Sequence, residues 1–310
     1  MNLTERIQFF DENYQVLSAG HYGTGKKLFI GIKRWNCRFC GKSNSETTFS
    51  NDSHAIPQFL GNQQLIIHDE CDECNKFFSE NLEDHLDKYT KPFRVLAHIK
   101  GANKIPAYKS KDQTSGILAN ANKEIKMYHN RESSFISDET ENSFKMHFDI
   151  EPHIPAAVYK AFVKIGLSLI KQNEELPAFS TAIKWIRDSD HSRLMFKPLT
   201  LMSSFIPGFK PAPVVTEILL RRRDSKSVPY GLLIIGFGNW VYQLHIPSHL
   251  EAQDGETITY GVPWFPTPYE ENWPMGELTR FVVDMSSHAK MAAKKTITVQ
   301  YDKKEDVENG

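Results

Sequence analysis

A chain of 310 residues that is 40% hydrophobic, 12% aromatic and 24% charged has enough apolar material for a substantial core, which excludes a disordered or fibrous protein. Its length predicts two domains. With 37 basic and 38 acidic side chains the net charge is −1, which excludes a surface coated in positive charge for indiscriminate nucleic-acid binding but not a local basic face.

The first residues lack the basic and apolar regions of a secretory signal, and no run approaches the roughly eighteen apolar residues of a membrane span, so a cytoplasmic protein with no membrane contact is expected. Residues 1–25 read as a short polar-capped lead. Lys27 to Trp35 predicts a strand running into the first of two Cys-x2-Cys pairs, Cys37/Cys40. After a Ser/Thr/Asn-rich stretch, Ser53 to Pro57 resumes an extended pattern, Gly61-Asn62 signals a turn, and Leu65-Ile66-Ile67 closes a hairpin that carries His54. Cys71/Cys74 follows. Phe78, Leu82 and Leu86 then recur every four residues and predict a helix over 75–89 that Pro92 ends, with Asn75, Ser79 and Glu83 on its opposite face.

Beyond Lys100 the spacing predicts strands over 124–128 and 144–148, a buried helix opened by Pro155 and running to Ile170, and a second helix over 179–187. Strands follow at 214–220, 230–246 and 295–301, the two glycines of the long run marking a bend or a turn between paired strands. The expected division is therefore residues 1–100 and residues 101–310.

Four cysteines in two Cys-x2-Cys pairs, thirty residues apart in a cytosolic chain, predict tetrahedral Zn²⁺ held by Cys37, Cys40, Cys71 and Cys74. A closed four-sulfur site has no open position, so that zinc is structural and any chemistry lies elsewhere. Between the pairs stand Ser53-His54-Ala55-Ile56-Pro57 and Leu60-Gly61-Asn62; after the last cysteine comes Asn75, and later Leu82-Glu83. Over residues 37–86 this order resembles the HNH endonucleases, in the branch with two zinc knuckles.

The resemblance implies an α+β chain with an N-terminal ββα-metal HNH module followed by a larger α+β domain. It implies hydrolysis of DNA phosphodiesters in a bacterial restriction or antiphage setting, with His54 as general base, Asn75 and Glu83 as further catalytic residues, and a catalytic Mg²⁺ or Mn²⁺ with Asn75 and Asp69 as its candidate ligands. A neutral imidazole takes a proton from water near pH 7, while a hard divalent ion neutralises phosphate charge. One position departs from the pattern: Ser53 stands where the family has an acidic or imidazole ligand, so Asp52, His68, Asp69 or Glu83 would have to substitute.

Lys33, Arg34 and Arg38 flank the first knuckle as candidate phosphate contacts, or as charges that balance the thiolates. Arg221-Arg222-Arg223 reads as a phosphate patch or as an edge-protecting feature. Tyr260, Trp264, Phe265, Tyr269 and Trp273 read as a rigid loop packed on the core or as a stacking pocket for a base. Residues 101–310 are expected to act in specificity, sensing a small-molecule or protein activator, or homo-oligomerisation. The alternative function is a non-catalytic, zinc-containing nucleic-acid-binding module.

Overall fold

A computed structural model describes residues 1–33, 36–119, 124–171, 175–208, 215–223, 228–251 and 261–300. Helix α1 (Leu3–Asn13) opens with a capping box between Asn2 and Glu5, and strand β1 (Tyr14–Tyr22) follows directly. The stretch read as a lead is thus regular structure. Nothing local marks β1 as a strand, because its partner β11 lies about two hundred residues away in sequence.

Strand β2 covers only Leu28–Ile30. Gly31 turns the chain at φ +83°, and a Cβ there would meet Oδ1 of Asp69 at 2.1 Å, so the longer strand predicted to Trp35 stops at this glycine. Strands β3 (Ser53–His54) and β4 (Leu65–Ile67) form the predicted hairpin, with Ser53 opposite Ile67 and His54 opposite Ile66. Strand β2 adds in parallel on the other side of β4, Phe29 opposite Ile66.

A long helical segment follows: α2 (Asp72–Phe78), a π-helical turn (Ser79–Glu83) and α3 (Asp84–Leu96). Pro92 lies inside α3 instead of ending it. A mid-helix proline costs about 3 kcal/mol, but the last turn is anchored by Phe93 and Val95 in the core and by Arg94, which donates to the Phe59 carbonyl and pairs with Asp87.

Short strands β5 (Tyr108–Lys109), β6 (Gly116–Ala119) and β7 (Ile125–Tyr128) make an antiparallel meander, while β8 (Ile136–Ser137) pairs with the long β9 (Ser143–His153). Helix α4 (Pro155–Leu169) is buried at every position, as its apolar circumference predicts, and α5 (Ser180–Ile186) follows a 3₁₀ turn. Strands β10 (Thr200–Phe205), β11 (Val215–Arg222), β12 (Gly231–Phe237), β13 (Trp240–Ile246) and β14 (Thr279–Asp284) join β1 in an antiparallel sheet of order β1-β11-β12-β13-β10-β14. Of the two glycines, Gly238 at φ +55° forms the turn between β12 and β13, while Gly236 stays paired inside β12. Strand β15 (Met291–Gln300) closes a second sheet against β9. The α+β expectation holds, and no helix among the described residues is long and apolar enough to cross a membrane.

Helix α4 is the hub. It touches the π turn and α3 on one side and β12 and β13 on the other, so a single hydrophobic cluster runs from Ile30 and the cysteines to Leu233 and Tyr242. On the far face of the sheet, Phe10 and Tyr14 pack against Leu220, Leu232 and Ile234, joined by Phe265 at 4.9 Å from Phe10. Trp264 gives its carbonyl to Arg6, and Trp273 donates Nε1 to the Pro207 carbonyl at 2.8 Å. The described part of the aromatic cluster is therefore loop packed on the body of the protein; Tyr260 lies outside the described residues.

Two lysines one helical turn apart interrupt α4. Lys160 donates to the Asp188 carbonyl at 2.8 Å and lies over the Trp185 ring. Beside it, burial and then the charges of Lys160 and His85 depress His191 from 6.5 to about 4. A histidine with a depressed folded value adds stability above its unfolded pKa and loses it as pH falls through the folded one. His191 should therefore contribute about 2 kcal/mol of extra destabilisation between pH 7 and pH 5. In urea titrations at those two pH values His191→Gln should remove that increment, and an unchanged pH slope would refute the assignment.

Candidate functional site

The zinc cluster is built by two turns locked together. The first knuckle closes through Cys37 N–H to Lys42 O (2.8 Å) and Gly41 N–H to Cys37 O (2.8 Å), with Gly41 at φ +75°. In the second, Cys71 caps α2, its Sγ accepting from Cys74 N–H at 3.5 Å. Asp72 and Glu73 place negative charge in the first turn of the helix, where the dipole favours it. Asp72 also accepts from Thr48 and from the Ser50 and Asn51 N–H groups, which folds the polar loop back onto the helix start.

The four sulfurs lie within 4.8 Å of one another, and Cys40 and Cys71 are 3.7 Å apart. A tetrahedron with Zn–S near ~2.3 Å has an edge of that size. All four thiols are free, and the donor set suits a thiophilic ion with no open position.

His54 stands on β3, half-buried. Its Nδ1 lies 3.2 Å from the Asp52 carbonyl. Because a carbonyl only accepts, Nδ1 carries the proton and Nε2 keeps its lone pair. Burial, then the charges of Lys164 and Lys27, depress the imidazole pKa, outweighing the opposing pull of Asp52, and the ring is neutral at pH 7. A neutral ring with a held tautomer is what a general base requires.

Asn62 sets the hairpin that carries it. Fully buried, it accepts from Gln64 and Leu65 N–H and donates to the Ile56 and Leu65 carbonyls, so the amide is satisfied at both ends. Gly61, at φ +106°, ends the preceding 3₁₀ turn.

The other expected site residues are placed differently from one another. Asn75 sits one turn inside α2, with Cys71 taking the cap position, and among the described residues its side-chain amide makes no hydrogen bond. Glu83, in the π turn, ion-pairs with Lys164 of α4 at 3.2 Å. The wider turn, where α4 crosses, offsets Glu83 from the Asn75/Ser79 stripe and directs it inward.

Asp69 meets Arg38 through two parallel bonds, Nε to Oδ1 at 2.8 Å and Nη2 to Oδ2 at 3.1 Å. Arg38 is not a phosphate contact: its side chain is 1% exposed, and Nη1 donates to the carbonyls of Leu167, Ser168 and Ile170 at the end of α4. Lys33 is exposed, and Arg34 lies outside the described residues. Arg222 and Arg223 donate to backbone carbonyls, of Leu250 and Asp11 respectively, and Arg221 lies 3.5 Å from Glu175.

Among the described residues, the acidic and imidazole side chains expected to hold a divalent cation do not gather into one group. Ser53 is 1% exposed and its Oγ has no hydrogen-bond partner among the described residues. Asp69 is committed to Arg38 and Glu83 to Lys164. Among the described residues the cysteines form the sole group of three or more potential metal ligands.

Two participants escaped the sequence reading, Glu70 and Lys164. Glu70 is wholly buried 3.2 Å from Lys164, and burial pushes its carboxyl up to about 7 against the pull of the ammonium. Burial opposes the charge on Lys164, but Glu70 and Glu83 outweigh it and hold the lysine above its ordinary value.

Residues 37–91 match the family described as HNH endonuclease. No curated protein and no solved structure matches the chain.

Proposed function

We propose that the chain hydrolyses phosphodiester bonds of DNA through its HNH module, with Nε2 of His54 taking the proton from the attacking water. The observation that carries this reading is the imidazole itself: neutral, fixed in one tautomer by the Asp52 carbonyl, and mounted on the hairpin between the two zinc knuckles of an HNH-matching segment.

The surface around it suits a nucleic-acid strand. Phe29 and His54 both lie opposite Ile66 and so share one face of the small sheet. Phe29 is 51% exposed and stacks on His68 at 4.4 Å with the rings nearly parallel. An exposed flat ring one strand away from the base, on the same face, offers a stacking partner for a nucleobase. Lys26 and Lys33 are exposed and can meet phosphates, while Lys27 pairs with Asp52.

Zinc-loaded protein incubated with plasmid DNA, supercoiled and denatured, should nick or linearise it, and His54→Ala should slow cleavage at least about a hundredfold, the lower range for loss of a general base. Cleavage at the wild-type rate by the variant would refute the mechanism. A second reading, a non-catalytic binding module, is favoured by buried Ser53 in place of the family's ligand. It expects DNA binding, read by filter retention, with no cleavage. A role in restriction or antiphage defence, with residues 101–310 supplying specificity or sensing an activator, fits the same proposal.

A further inference from the structure

A single ammonium reaches into the module from outside it. Lys164 Nζ lies 3.2 Å from Glu83 Oε1, 3.2 Å from Glu70 Oε2 and 3.3 Å from the carbonyl oxygen of His54. It also sits 5.6 Å from the centre of the Phe78 ring. These partners all belong to the segment 37–91, whereas Lys164 comes from α4. Two carboxylates and a strand carbonyl are the kind of oxygen set on which a hard divalent ion draws. Here they converge on an ammonium, which has three N–H donors and one positive charge. The side chain is 1% exposed and Glu70 is wholly buried, so the charge cannot be supplied from solvent without moving α4.

We infer that Lys164 is the resident cation of this buried oxygen cluster, held between the base-bearing hairpin and the acidic residue of the helix. The lack of an anionic ligand at Ser53 has the same physical sense. One ammonium already faces two carboxylates, and a divalent ion would need the ammonium displaced and a further donor supplied. Buried as it is, Lys164 does not touch substrate. It is a positioning residue that ties the His54 backbone to the π turn and neutralises Glu70 and Glu83. The inference gives its meaning to the nuclease reading above, but its test does not depend on cleavage.

The test is Mn²⁺ binding to the zinc-loaded full chain, read by the electron-spin resonance signal of free Mn²⁺. Wild type and Glu83→Gln should deplete the signal equally little, because no site uses Glu83. Lys164→Met keeps the length of the side chain and removes its charge, leaving two carboxylates facing each other. It should bind Mn²⁺ more tightly than wild type by at least about tenfold, the scale of one close charge contact, and Lys164→Met/Glu83→Gln should lose that gain. Binding of one Mn²⁺ by wild type that disappears in Glu83→Gln overturns the inference, as does a folded Lys164→Met with no gain. Should Lys164→Met not fold, the wild-type and Glu83→Gln pair still decides. A protein that never cleaves but follows the Mn²⁺ pattern refutes the nuclease reading alone.

Discussion

Removing the metal, or replacing Cys71 with Ser, is expected to unfold the hairpin and the start of α2 while the six-stranded sheet survives. The reason is the scarcity of other stabilising structure in that stretch. Strands β3 and β4 are two and three residues long, and the segment between the cysteine pairs leans on the few hydrogen bonds accepted by Asp72 and made by Asn62. Four-thiolate and related zinc sites in small peptides bind with apparent energies of about 10–16 kcal/mol at neutral pH. Part of that would be offset here, because Phe78, Leu82 and Leu86 keep the helix docked in the core. A loss of at least about 4 kcal/mol from the module is expected, visible as rapid trypsin cleavage after Lys42, the one trypsin site between the cysteine pairs. Metal analysis should find one zinc per chain in wild type and almost none in Cys71→Ser. A variant that lacks metal yet resists trypsin like wild type would show that packing alone holds the module.

Asp69→Ala should be nearly as damaging, for an electrostatic reason. The carboxylate is 4% exposed and its partner Arg38 1% exposed, so the substitution leaves a guanidinium charge in the interior with only carbonyl oxygens for company. Breaking one side of a buried pair costs about 3–5 kcal/mol, whereas replacing both partners with apolar side chains of similar volume is often neutral. Urea unfolding should therefore show Asp69→Ala strongly destabilised and Arg38→Met/Asp69→Leu substantially recovered. A shift below about 1 kcal/mol for Asp69→Ala, the size of a surface pair, would mean that the charge finds water. The pair also joins the first knuckle to the end of α4, and Arg38 N–H donates to the Asp69 carbonyl at 2.8 Å. Its loss should loosen the module as a unit, and zinc release to a chelator should quicken.

What the sequence revealed follows the range of the interactions. The cysteine pairs, the His54 hairpin and the buried stripe of Phe78, Leu82 and Leu86 are written in spacings of a few residues and are found in place, although the helix carries a π turn and runs on to Leu96. Strand β1 was illegible because a half-exposed run such as Tyr14–Tyr22 becomes a strand only beside β11. Pro92 misled because a helix-breaking residue is overruled when the following turn is tied down by Phe93 and Arg94. In the site, Arg38 looked like a surface charge flanking a thiolate cluster; its burial depends on carbonyls 129 to 132 positions away along the chain.

Lys164 was the signal that could have been caught. A helix apolar on most of its circumference must be buried, and a lysine within it must find polar partners. Of the two such lysines in α4, Lys160 finds a backbone carbonyl and Lys164 two carboxylates.

The pairing of β1 with β11 has a consequence for synthesis. The module lies between the two strands in sequence, and both Lys164 and the carbonyls that receive Arg38 come from α4. A ribosome must therefore extrude α4 before the His54 hairpin meets its internal cation, and β11 before the loop carrying the module is closed. Chains cut short by premature termination would carry every motif residue of the module and yet lack the lysine that completes it.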